Sequence, residues 1–190
     1  MEAPGDDAAD AARAAAGDLA SFDRIVARWQ DRLVGLAWRF SRDRTAAEDM
    51  AQEALVKAFR SIASFRGEAK FSTWLTAVAL NTYRSRLRRE GPPLLGLDAV
   101  KAFGSLPGAQ DQLEDEERAE AVRRAVVALP ARYRDAIIVY YFHERDLAES
   151  ARVLGVSEGT LKAHLHRGRG LLRRRCAHLG LAPAREKERA

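Results

Sequence analysis

Seven apolar residues, Leu19, Phe22, Val26, Trp29, Leu33, Leu36 and Phe40, recur at alternating steps of three and four. Only a helix puts such a series on one stripe, so this stretch predicts a long amphipathic helix facing a core. The period returns in a second helix, opened by a capping box at Thr45-Ala-Ala-Glu48, with Met50, Ala51, Ala54, Leu55, Ala58 and Phe59 inward. A third follows from Thr73 to about Arg89, with Ser72 as its cap and Trp74, Leu75, Val78 and Leu87 inward. Strand-like alternation is sustained nowhere and no solenoid repeat is present. The predicted class is all-α.

Gly91-Pro92-Pro93 stops the third helix, because proline donates no backbone hydrogen bond and disfavours helix in the residue before it. Residues 91–110 carry four Gly and three Pro without a period, and 111–120 hold six acidic residues against Arg118 alone. This composition reads as a flexible linker between two small domains. Period resumes at Val122, Ala125, Val126 and Leu129. Pro130 then opens a helix at its first position, with Tyr133, Ile137, Ile138 and Tyr141 inward, and helices at about 146–154 and 157–175 complete the chain. Residues 1–18 hold too little apolar bulk to offset ordering entropy and read as a disordered leader. The expected division is leader 1–18, first domain 19–93, linker 94–114, second domain 115–177 and tail 178–190.

The chain carries 32 Lys and Arg against 27 Asp and Glu, and only five of the 32 are Lys. Arginine's planar fork suits phosphates and base edges. The single Cys, Cys176, excludes an internal disulfide framework and a multi-Cys zinc site. His164 and His166, two apart on a helix, point to different faces and make no metal pair. The expectation is no metal and no cofactor. No apolar run reaches the ~18 residues of a membrane span, and no signal peptide is evident. A cytoplasmic protein without membrane insertion is expected.

The most specific local pattern lies near the C-terminus. Asp146 and Glu149 are positioned to cap one short helix and Ser157 the next. Ala151, Gly155, Val156 and Leu161 supply the small residue, the turn residue tolerant of positive φ, and the apolar anchors that two steeply crossing helices need. This is helix-turn-helix spacing. From Gly159 to Arg185 there is no acidic residue. On a helix starting at Ser157, Lys162, His166 and Arg169 share one exposed side with Arg167 beside them, suited to phosphates and base edges in a major groove; a solvated basic face would look the same.

Two patches mark the first domain. Glu48, Asp49, Gln52 and Glu53 cluster opposite an apolar stripe, which fits either a protein partner or plain helix solubilisation. Ser64-Phe-Arg-Gly-Glu-Ala-Lys-Phe-Ser-Thr-Trp74 interleaves aromatics with Arg66 and Lys70 and leads to Asn81 and Arg84. Such a mixture stacks and hydrogen-bonds unpaired bases. Trp74 alone fits a core as well.

The segments Ala-Glu-Asp-Met-Ala-Gln-Glu at 47–53, Ser-Phe-Arg-Gly-Glu at 64–68, Phe-Ser-Thr-Trp-Leu at 71–75, and Leu-Pro-Ala-Arg-Tyr-Arg at 129–134 through Gly-Val-Ser-Glu-Gly-Thr-Leu-Lys-Ala-His-Leu-His-Arg at 155–167 together closely resemble the extracytoplasmic-function branch of bacterial sigma factors. The resemblance implies a region 2-like domain and a region 4-like helix-turn-helix domain joined by a flexible linker. It implies that Glu48, Asp49, Gln52 and Glu53 meet the clamp helices of the largest polymerase subunit. Phe65, Arg66, Lys70, Phe71, Trp74, Asn81 and Arg84 match the part that captures a base of the −10 element. Ser157, Thr160, Lys162, His164, His166 and Arg167 match the reader of the −35 element. Implied partners are core RNA polymerase, promoter DNA and an anti-sigma protein.

Some residues depart from the family pattern: Ser150 stands for an aliphatic residue, with weaker packing expected, and Gly168 and Gly170 for helix formers, each expected to cost about 1 kcal/mol. The expected function is a sigma factor, a subunit that binds and melts DNA and is not an enzyme. The alternative is a stand-alone helix-turn-helix repressor or activator.

Overall fold

The computed structural model describes residues 5–90, 110–144 and 146–178, and the regular elements among them are all helical. They are α1 (Gly5–Ala15), α2 (Leu19–Ser41), α3 (Arg44–Ser61), a 3-10 turn (Ile62–Ser64), α4 (Phe71–Glu90), α5 (Gln110–Val127), α6 (Ala131–Phe142), α7 (Leu147–Leu154) and α8 (Glu158–His178). The expected linker from 94 to 109 and the tail from 179 lie outside the described residues. Helix α5 reaches back into the expected linker, so the acidic run from 111 is helical.

Helix α2 is the spine of the first domain. Asp18 caps it, accepting from the Ser21 hydroxyl at 2.6 Å and its amide at 3.4 Å. Phe22, Trp29, Leu33, Leu36 and Phe40 are buried as the period requires. The stripe leaves the core at its start: Leu19 is 63% exposed and faces an open groove with Val56 and Phe59 of α3. Helix α3 starts one residue before the expected box. Asp43 caps it, accepting the Ala46 amide at 2.6 Å. Glu48 pairs with Arg44 instead of closing a box. Likewise Ser72 lies inside the first turn of α4, where its carbonyl accepts the Thr76 hydroxyl at 2.7 Å. Sequence reasoning passed over Tyr83. It is fully buried, donates to the Leu33 carbonyl at 3.1 Å, and burial pushes its phenol above the ordinary range.

Residues 5–15 form a helix where a disordered leader was expected. Composition registered the missing apolar bulk but missed two compensations. Alanine is the strongest helix former, and α2 supplies the charges that α1 lacks. Ala11 and Ala14 are buried. Asp10, 2% exposed at its side chain, accepts from Arg24, Arg28 and Arg13. Those bonds, led by Arg24, hold its carboxyl well below the usual carboxylate range.

In the second domain Pro130 sits at the cap of α6, one position before its expected place. Helix α6 is apolar on two sides. Tyr133, Ala136 and Ile137 pack with Leu129, Leu161 and Leu165 of their own domain, whereas Ile138 and Val139 join the core of α2–α4. Tyr141, expected inside, is 44% exposed. Ser150 is fully buried but satisfied, its hydroxyl donating to the Asp146 carbonyl at 2.6 Å. The two domains therefore close on one another.

The two glycines of α8 separate in role. A Cβ at Gly168 would lie 2.9 Å from Ile137 Cδ1 and 3.3 Å from Tyr133 Cβ, whereas one at Gly170 would meet nothing within 4 Å. Gly170→Ala is expected to stabilise the fold by about 0.5–1 kcal/mol through helix propensity. At Gly168 the same gain is opposed by overpacking of about 1–3 kcal/mol. The Ile137 methyl is able to turn aside, but Tyr133 Cβ is fixed to its backbone, so α8 must lift off α6. Gly168→Ala is expected to be less stable than the parent. Urea denaturation ranks the three proteins, and equal stability of the two variants would show that the α6–α8 contact yields freely.

Candidate nucleic-acid interface

The helix-turn-helix is built from caps. Asp146 accepts the Glu149 amide at 3.0 Å and starts α7. Gly155, at φ 66, turns the chain in the left-handed region that glycine enters without strain. Ser157 Oγ then accepts the Thr160 amide at 3.1 Å and starts α8. Ala151 and Leu161 are buried beneath the turn, with Val156 partly so. Lys162, His166 and Arg167 project into solvent along α8, Arg169 is exposed with its guanidinium 5.7 Å over the Tyr140 ring, and the Ser157 and Thr160 hydroxyls pair at 2.9 Å at the exposed start of the helix. His164 is set apart from this group: it is half-buried and meets the Tyr133 ring edge-on at 5.7 Å.

The aromatic–basic segment forms a second surface. Gly67, at φ 73, bends the loop after the 3-10 turn. Phe65, Phe71 and Trp74 make one aromatic cluster with centroids 5.3–5.7 Å apart, Phe71 buried and the other two half-buried. Arg66 and Lys70 are exposed beside it. Asn81 is exposed on α4, seven residues beyond Trp74, hence on the same face about 10 Å further along. The loop and Asn81 are thus two stations rather than the walls of one pocket.

Glu48, Asp49 and Gln52 of α3 line the groove between α2 and α3, whose floor includes Leu19, Val56 and Phe59, whereas Glu53 lies outside it and turns toward α4. The carboxylates are only partly free. Asp49 meets Arg86 at 3.6 Å, and Glu53 meets Lys57 at 2.8 Å and Arg89 at 3.7 Å. The Lys57 hydrogen bond holds the Glu53 carboxyl below its ordinary value.

Sequence reasoning missed the contact between the domains. Helix α7 packs on α4, and a cleft of about 830 Å³ separates the aromatic loop from Phe142, His143 and Glu149. Glu149 accepts from Thr73 and meets Lys70 at 3.3 Å. Burial opposes its ionisation, but the bonds from Thr73 and Lys70 outweigh it and hold the carboxyl below its ordinary value. Asp135, 3% exposed at its side chain, binds Arg84 at 2.7 Å and Arg134 at 3.0 Å. Two of the expected −10 residues, Lys70 and Arg84, are thereby occupied by carboxylates of the other domain. Arg42 adds a third tie: it closes α2 at φ 58, stacks 3.6 Å over Trp38 and pairs with Glu120. Its buried Nε and Nη1 lack hydrogen-bond partners, as does His143 Nε2. Burial, against the pull of Glu149, lowers the His143 pKa.

A helical chain with one domain built to enter a duplex groove and another suited to unpaired bases defines a class, the two-domain promoter-recognition proteins. Comparison with known proteins agrees in both halves: the sigma-70 region 2 family matches residues 25–92 and the sigma-70 region 4 family matches residues 119–172. The chain belongs to the sigma-70 family, in its extracytoplasmic-function branch. It is 34% identical over 176 residues to the extracytoplasmic-function sigma factor SigW of Bacillus subtilis, covering 86% of this chain and 92% of that one. It is 36% identical over 165 residues to SigM of Mycobacterium tuberculosis, covering 86% and 81%. Among solved structures, CnrH in complex with the cytosolic domain of CnrY aligns with a TM-score of 0.65 at 25% identity, covering 92% of this chain and 97% of that one. Because both domains match in order, the stand-alone helix-turn-helix repressor is not favoured. No helix among the described residues is long and apolar enough to cross a membrane.

Proposed function

We propose that this chain binds core RNA polymerase in the cytoplasm, directs it to promoters and begins DNA melting, with no bond chemistry of its own. The observation that carries the reading is the presence, in one chain, of a duplex-reading helix and a separate aromatic–basic station for single strands. A repressor has no use for the second. Glu48, Asp49, Gln52 and Glu53, with the apolar groove beside them, meet the clamp helices of the largest polymerase subunit. An anti-sigma protein that covers the same groove is a further partner.

Ser157, Thr160, Lys162, His166 and Arg167 face the −35 element, with His164 behind them as a packing residue. Phe65, Arg66, Lys70, Phe71 and Trp74 receive an extruded −10 base, whose unstacking costs a few kcal/mol and must be offset by the pocket. Arg84 serves the strand backbone, and Asn81 reads a neighbouring nucleotide with its amide donor and acceptor.

Transcription in vitro with core enzyme tests this. Arg167→Ala is expected to lower transcription from a promoter with an intact upstream element about tenfold, since a base-edge contact is worth about 1–3 kcal/mol. Binding to core should not change. Equal activity of the parent on intact and scrambled upstream elements would remove the −35 role. Asn81→Ala is expected to relax preference at one −10 base, and an unchanged permanganate footprint with unchanged preference would remove that role.

A further inference from the structure

Helix α1 has no part in the reading above, yet Asp7 and Asp10 are both committed to α2. Asp7 accepts from Arg28 at 2.8 Å and from the Trp29 indole N–H at 3.0 Å. Asp10 accepts from the same Arg28 at 2.6 Å and from Arg24 at 2.8 Å. The helix also packs against the 3-10 turn and α4, the two elements that bound the aromatic loop. The loop's own backbone gives it little support, essentially the Phe65 amide on the Ile62 carbonyl at one end and the Lys70 carbonyl under the first turn of α4 at the other.

Trp29 is 5% exposed, and its ring meets Phe71 edge-on with centroids 6.4 Å apart. Phe71 in turn carries Phe65 and Trp74. The Arg32 guanidinium lies 4.9 Å over the Trp29 ring and covers its face, but such a stack leaves the ring free to rotate within its own plane, and a hydrogen bond from the single indole N–H fixes that rotation. Asp7 makes that bond. The acidic groove between α2 and α3 shares none of these residues.

We propose that α1 is a brace for the base-capturing loop, with Asp7 a positioning residue that sets Trp29, and Trp29 setting Phe71 and the aromatic platform above it. The proposal rests on the reading of residues 65–71 as the station for an extruded base. A helix that merely added stability would affect every surface of its domain alike. A brace acts at the loop, because the series Asp7, Trp29, Phe71 ends there.

The test uses the full chain with Asp7→Ala and Asp7→Asn, the latter retaining an oxygen for the indole. Amide exchange across residues 65–71 is expected to quicken about tenfold in Asp7→Ala, the loss of one charge-assisted hydrogen bond, and to recover most of the way in Asp7→Asn. With core polymerase, Asp7→Ala should weaken the permanganate signal of open complex on a duplex promoter about tenfold while core affinity holds. Unchanged exchange at 65–71 would overturn the brace, and so would a parallel loss of core affinity and open complex. Phe65→Ala separates this from the underlying reading. A footprint altered by Phe65→Ala and untouched by Asp7→Ala sinks the brace alone; one untouched by both sinks the base-capture reading, and the brace with it. If Asp7→Ala fails to fold, Trp29→Phe removes the N–H, keeps an aromatic ring and carries the same measurements.

Discussion

Replacing Asp49 and Glu53 together by Lys is expected to lower affinity for core polymerase at least about a hundredfold, since like charges facing each other across an interface cost several kcal/mol. Asp49 borders the α2–α3 groove, where exposed Leu19, Val56 and Phe59 offer apolar area for a partner helix, and Glu53 stands one turn further along α3 on the side facing Arg89. The fold should tolerate the change. Side-chain exposures of 58% for Asp49 and 31% for Glu53 place their contacts with Arg86, Arg89 and Lys57 in the range where ion pairs contribute about 0–1 kcal/mol. Circular dichroism and melting temperature should stay close to those of the parent while binding to core collapses. Unchanged affinity in a folded variant would refute the assignment of this patch.

The second large effect is expected at Asp135. Its carboxylate joins the domains through Arg84 and is almost wholly buried. Breaking a buried pair by removing one partner costs about 3–5 kcal/mol, so Asp135→Ala should move the chain from closed to open by a factor of several hundred or more. Small-angle scattering should show a larger radius of gyration. The free chain should also bind a single-stranded −10 oligonucleotide more tightly, since Arg84 is released. A scattering profile identical to that of the parent would show that the apolar contacts of Ile138, Val139 and Val153 hold the domains without help. Acid works in the same direction. The His143 pKa is lowered in the folded state, so its contribution is complete above the unfolded value near 6.5 and is lost as pH falls through the folded value. Arg42 and His143 bring buried nitrogens without partners into the closed form, and each such group costs stability there.

The helices themselves were legible in the sequence, because burial on one face writes a period of three and four into the chain. That is why α2, the α7–α8 turn and the outward Lys162, His166 and Arg167 follow from residues alone. Caps were less legible: Asp43 and Thr45 are both competent, and only the backbone path after Arg42 selects Asp43. The leader was misread for a different reason. Composition measures what a segment lacks, and α1 is held by Arg24 and Arg28, 14 and 18 residues from their partner Asp10.

Glycine divided in the same way. Propensity assigns Gly168 and Gly170 one penalty, and only the approach of α6 to α8 makes Gly168 a point of close packing. The sequence by itself determined an all-helical chain, a helix-turn-helix with a basic outward face, and an acidic helix beside an aromatic loop, because each depends on neighbours a few residues apart. Only the tertiary structure decided that Asp135 and Glu149 close over Arg84, Thr73 and Lys70, and that α6 buries two faces. Those outcomes depend on long-range contacts between helices, and a one-dimensional period carries no information about which helix a face will meet.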